Sequence, residues 1–173
     1  MLFFAVPKFG RVTQGSLKSA TRKMYGLIAT AHDKAALQKR RYWLGMELGR
    51  GEWWVVVTEP AEGVSPEMIA QRKERPEMEG ELPGGVIFTE AVLESQRLKE
   101  GTALAVFEPN GTCTEAQINL EDEAGNLAAL VVNPLTGRCT ISESGPPPEG
   151  AAGEGELPAG EAPAAGEEAH EQL

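Results

Sequence analysis

Two cysteines, Cys113 and Cys139, are the residues of this chain best suited to covalent or metal chemistry, and their spacing limits what that chemistry could be. They stand 26 positions apart, with no CxxC pair and no histidine cluster nearby. Zinc binding and thioredoxin-type exchange both fail on that spacing. Both cysteines fall on segments that read as strands of one meander. A disulfide between them needs Cα atoms within about 7 Å and an oxidising compartment. Two buried free thiols are the other reading, and both stay open at this point.

The remaining chemistry-bearing residues are sparse. His32 and His170 are too few for a histidine-built metal centre. His32 precedes Asp33 on a helix expected to face solvent there, so it reads as a surface residue, and His170 falls in a C-terminal tail. Asn119, Glu121, Asp122, Glu123 and Asn126 crowd one turn and could offer oxygen ligands to calcium. Hairpin turns also collect Asp, Asn and Gly for backbone reasons alone, and a turn is the reading adopted. No GxSxG, P-loop or GxGxxG occurs, and no Ser, His or Asp stands in a nucleophile context. The chain therefore reads as non-enzymatic, with no catalytic, cofactor-binding or metal residues assigned.

Charge is unevenly placed. The formal net charge is -10, yet residues 1–50 hold ten Lys or Arg against two acids, Asp33 and Glu47. That basic half is either a solvated helix face or a surface that sits near an anionic membrane. Lys39-Arg40-Arg41 run into Tyr42-Trp43, a basic-plus-aromatic pairing that could suggest nucleic acid. Cations favour a helix C-terminus and aromatics favour strands, which explains the same residues without it. The acidic remainder would repel phosphate, so no nucleic-acid partner is expected.

The elements that must position these residues follow from periodicity. Leu17, Ala20, Met24, Leu27, Ile28, Ala31 and Ala35 recur at three- and four-residue steps, predicting a helix over about 9–38 with one narrow apolar stripe. Extended segments follow over 42–48, 53–57, 86–89, 103–107, 117–120, 128–132 and 139–142, separated by turn residues. Residues 58–82 read as an excursion loop with one short helical stretch around Pro66 to Lys73. The fold class is α+β, a long N-terminal helix laid over antiparallel sheet. One globular domain spans 1–143, and 144–173 is an acidic Gly, Pro, Ala and Glu tail without aromatic or β-branched residues, which predicts disorder. Met1 to Val6 is apolar but far short of the roughly 20 residues of a membrane span, so the chain as given reads as soluble.

Several of these segments, taken in order, resemble one family. Ala5-Val6-Pro7-Lys8-Phe9-Gly10 is similar to the proline-bearing exit of a pilin-type hydrophobic helix, and Leu17 to Lys23 with Ala29 to Ala36 to its second half. Leu82-Pro83-Gly84-Gly85-Val86 resembles a sheet-entry segment. Phe107-Glu108-Pro109-Asn110-Gly111 and Asn133-Pro134-Leu135-Thr136-Gly137-Arg138 resemble two closing turns. Together they look like the H-type minor pseudopilin of type II secretion systems, a relative of the minor pilins of type IV pili. The family's basic leader and long apolar helix are not seen ahead of Met1, and Met1 to Val6 looks like the end of such a segment, as in an N-terminally truncated chain.

The resemblance implies a pilin-like structural subunit that assembles with other pseudopilins or pilins of one filament and supports protein export. It implies a periplasmic place, with inner-membrane anchoring if a longer native N-terminus exists. In that picture Pro7, Leu17, Leu27, Ile28, Pro83, Gly84, Phe107, Pro109, Gly111, Pro134, Leu135, Thr136, Gly137 and Arg138 are structural motif residues, and Cys113 and Cys139 a potential disulfide. A type IV minor pilin acting in adhesion or DNA uptake, or a soluble non-catalytic binding module, are the alternatives. Removing residues 146–173 is expected to leave the thermal melt unchanged; a clear drop in melting temperature would show that the tail packs.

Overall fold

The stripe of small and aliphatic residues on the first helix is the face the helix buries. A computed structural model describes residues 13–60, 63–71 and 76–144. Helix α1 runs Thr13–Gln38, and Leu17, Ala20, Met24, Leu27, Ile28, Ala31 and Ala35 are all buried. Ala20, Ala31 and Ala35 keep the helix close to what it covers, while Met24 and Ile28, both fully buried, fill the gaps between. Thr21 is buried on the same face and returns its hydroxyl to the Leu17 carbonyl at 2.7 Å, which satisfies it without a partner outside the helix. The helix stops at Gln38, because Lys39 takes a left-handed φ of 57° and ends the ladder.

Two antiparallel sheets receive that face, where the sequence suggested one. The four-stranded sheet has the order β3-β2-β1-β6, and the five-stranded sheet the order β5-β4-β7-β8-β9. Their strands are β1 (Arg41–Glu47), β2 (Glu52–Thr58), β3 (Met78–Glu81), β4 (Ile87–Leu93), β5 (Gln96–Leu98), β6 (Thr102–Phe107), β7 (Ala116–Glu121), β8 (Leu127–Val132) and β9 (Cys139–Ser144). The split arises because β6 returns to the free edge of β1, with Leu44 opposite Ala105 and Met46 opposite Ala103, instead of continuing the β4–β5 hairpin. One core lies between α1 and both sheets. Tyr42, Leu44, Met46, Val55 and Phe107 enter it from the first sheet, and Phe88, Ile118, Leu120 and Leu130 from the second.

The four-stranded sheet is covered on its other face as well. The excursion contains a helix, α2 (Pro66–Gln71), whose Ile69 is fully buried against Trp43, Trp54 and Val56. Burial on both faces explains why Trp53 to Val57 is continuously apolar instead of alternating. The excursion then returns as β3, pairing Gly80 with Trp53 and Glu79 with Trp54. Each indole of the Trp53-Trp54 pair lies over a glycine of a neighbouring strand, Trp53 over Gly80 and Trp54 over Gly45, where a Cβ would strike the ring. These two glycines are packing positions and not turn signals.

Two strands escape the periodicity. Residues 78–81 are Met-Glu-Gly-Glu, with no β-propensity, and β5 has only three residues. Strand β4 runs four residues past its expected end at Thr89, because the register shifts between Phe88 and Glu90. That bulge puts Phe88, Ala91 and Leu93 inward, a spacing that breaks strict alternation.

Replacing Ile28 or Leu27 with Asp places an unpaired carboxylate in the core, and the variant is expected to lose cooperative melting. Unchanged melting of both variants would show that this stripe does not hold the sheets.

Candidate interaction surface

The face of α1 opposite the core is built by the same periodicity that buries the stripe. Lys18, Ser19, Arg22, Tyr25, Gly26, Thr30, Asp33 and Leu37 are exposed along it. Leu37, 82% exposed, is the most open large apolar residue described. Lys18 and Arg22 are one turn apart, and among the described residues neither has an ion-pair partner. Lys23 differs from them. Its ammonium donates to the Glu81 carbonyl at 2.8 Å and stands 5.4 Å from the centre of the Trp53 ring, so it clamps the helix to the outer strand of the first sheet. No helix among the described residues is long and apolar enough to cross a membrane.

Near its C-terminal half α1 meets the two closing turns through His32. The side chain is 18% exposed, so the expectation of a solvent-facing histidine is corrected. Its Nε2 lies 2.8 Å from the Gly111 carbonyl, which accepts from the ring. Its Nδ1 is 3.5 Å from Asp33 Oδ1. The ring fills the space over Gly137, whose φ of 63° and contact with the imidazole both exclude a side chain there. Sequence spacing could not reveal this, because the contact joins residues more than 70 positions apart.

The turns themselves are bound to each other. The Cys113 amide donates to the Pro134 carbonyl at 2.8 Å. Asn133 Oδ1 accepts from the amides of Leu135 at 3.0 Å and Thr136 at 3.2 Å, an Asx turn. Thr136 Oγ1 accepts from the Arg138 amide at 3.4 Å, and Leu135 projects outward, 76% exposed. On the other turn, with Pro109 at its bend, the Gly111 amide donates to the Glu108 carbonyl at 3.0 Å. Phe107, which enters that turn, is buried. Thus Gly111 and Gly137, one from each closing turn, meet at His32, whereas Pro83 and Gly84 sit in a separate 3-10 turn, Pro83–Gly85, packed against Ser16 near the start of α1. Pro7 lies outside the described residues.

The cysteines are free thiols, half-buried, so the disulfide considered from sequence is not formed in this structure. Burial pushes the Cys139 thiol up to about 11. Burial also raises Cys113, with a backbone hydrogen bond from Gly137 working the other way. Both are thereby held as thiols at neutral pH and are poor nucleophiles. The acidic turn resolves as backbone architecture. Asp122 is buried, and its Oδ1 accepts from the amides of Ala124 at 2.9 Å and Asn126 at 3.0 Å. Asn119 turns instead to Glu90, at 3.0 Å. Among the described residues no group of three or more His, Cys, Asp or Glu is placed to hold a metal ion. Within the Lys39-Arg40-Arg41 run, Arg40 pairs with Glu59 at 2.8 Å and Arg41 with Glu108 at 2.8 Å. Arg41 also lies 5.8 Å from the Trp43 ring centre.

No protein-family model matches the chain, and no curated protein matches it. Among solved structures, the crystal structure of the type IV minor pilin FimU from Pseudomonas aeruginosa strain PAO1 is similar, at 15% identity and a TM-score of 0.49, over 75% of this chain and 90% of that one.

The raised Cys139 gives a direction for alkaline stability. Its folded-state value lies above the unfolded one, so the contribution is fully present below about 9 and is lost as pH rises towards about 11. The melting temperature is expected to fall over that interval, and to fall less in Cys139→Ala. Equal alkaline slopes in the two proteins would remove the thiol from that role.

Proposed function

We propose that this chain is a structural subunit of a pilin-type filament, namely a minor pseudopilin of a type II secretion pseudopilus. The observation that carries the reading is the division of α1 into two faces. One face of a 26-residue helix is buried against two sheets. The other stands open, with Lys18 and Arg22 without an ion-pair partner among the described residues and Tyr25 and Leu37 exposed. The domain's own core makes no use of that second face, which suits it to contacts with neighbouring subunits.

In such an assembly the helices line the axis and the sheets look outward. The expected partners are other pseudopilins or pilins of the same filament, and the reading requires no cofactor or catalytic step. The order of the Pro83-Gly84 turn and the two closing turns supports it, as does their position around α1. The basic N-terminal half is suited to a second contact with anionic lipid, in keeping with a periplasmic place for the subunit.

The test uses the full chain in its native host. Charge reversal at Lys18 and Arg22 to Glu is expected to reduce co-purification of neighbouring pseudopilins, and secretion with it, at an unchanged melting temperature. Recovery of type IV pilus subunits in place of pseudopilins would make the chain a minor pilin. Recovery of no pilin-type partner would overturn the proposal.

A further inference from the structure

Strand β6 is an edge strand of the four-stranded sheet, and only half of its free edge is covered. At the covered half the Glu108 amide donates to the Thr112 carbonyl at 2.8 Å, and the Thr114 amide to the Val106 carbonyl at 2.8 Å. Val106 in turn donates to Thr114 Oγ1 at 2.9 Å. Residues 112–114 therefore act as a short added strand, after which the chain leaves for β7 in the other sheet.

Alternate residues of a strand direct their N–H and C=O groups to the same side. Since Val106 points both away from β1, Leu104 does too, two residues further along. The pairing of Leu48 N with Gly101 O at 2.9 Å confirms that register. Beyond Thr114 no described residue takes up the outward pair of Leu104. Leu104 also lines a groove of about 430 Å3 bounded by the outer face of the first sheet, Pro66 at the start of α2 and the β4–β5 hairpin. Trp43, Leu93, Leu98, Leu104 and Val106 line it, and Glu94 at the hairpin tip is the charged residue of the lining.

We infer that this groove binds an extended segment of another protein chain, which adds to β6 as a short strand. The segment pairs its backbone with the N–H and C=O of Leu104. It lays apolar side chains, two residues apart, on Leu98 and Trp43, and sets a Lys or Arg against Glu94. The open peptide groups select this occupant. A helix keeps its own backbone bonds internal and could not satisfy them, whereas an extended chain offers a donor and an acceptor at that spacing. A half-covered edge is otherwise a liability for unregulated pairing. The inference does not depend on the assembly reading above, since any extended partner with this pattern would serve.

The experiment uses the 15N-labelled full chain and two blocked peptides, acetyl-Lys-Val-Thr-Val-Thr-Val-amide and its analogue N-methylated at every second residue. In the free protein the Leu104 amide is expected to exchange with deuterium about tenfold or more faster than those of Ala103 and Ala105, which bond to β1. The first peptide should slow that exchange by a similar factor, and the N-methylated one should not. Glu94→Gln should weaken binding by about two- to fivefold, as for an exposed ion pair. A protected Leu104 amide in the free protein would overturn the inference. So would equal binding of both peptides, which would mean an apolar pocket only. Shifts confined to another edge such as β9, or no saturable binding, would also overturn it.

Discussion

The contact of Met24 and Ile28 with the inner faces of two sheets is the constraint on which this fold rests. The sheets share no continuous ladder; backbone bonds join them only locally, where the Gly49 amide donates to the Phe88 carbonyl at 2.7 Å and the Phe88 amide to the Arg50 carbonyl at 2.8 Å, and the surface they bury in common does the rest. Alanines at 20, 31 and 35 make that surface narrow and close. A broader apolar stripe would have needed cover on more sides of the helix. The narrow one leaves half of α1 in water, and the proposed role of the protein follows from that half.

Two polar clamps fix how the helix lies. Lys23 ties the first half to the β3 edge, through the Glu81 carbonyl and the Trp53 ring. His32 ties the second half to the closing turns, through the Gly111 carbonyl. Apolar burial resists sliding only weakly because it is non-directional. Directed bonds to fixed carbonyls at two points hold the register, and they hold the turns of the second sheet to the helix as well.

The helix, its stripe and seven of the strands could be read from the residues, because each carries a full period of burial on one side. What could not be read depended on partners distant in sequence. Strand β3 is a strand because Trp53 needs the bare backbone of Gly80 beneath it, and nothing in residues 78–81 announces that. His32 looks solvated from its helical neighbours, and only the arrival of Gly111 and Gly137 makes it an anchor. The two-sheet arrangement turned on where β6 would pair, a choice that local pattern leaves open. The open edge at Leu104 was equally invisible, since it depends on where residues 112–114 leave the strand.

The excursion between β2 and β3 is tied off at its base by their ladder, with Val55 set opposite Met78 and Glu52 opposite Glu81. A loop so closed grows cheaply: doubling its length adds about 0.6 kcal/mol of closure entropy. Insertions and deletions in descendants of this chain would therefore collect on the outer flank, beyond Trp54, while the helix side stays fixed in length. A lineage could diversify its outward surface by lengthening this one segment without disturbing how the rod and its two sheets meet.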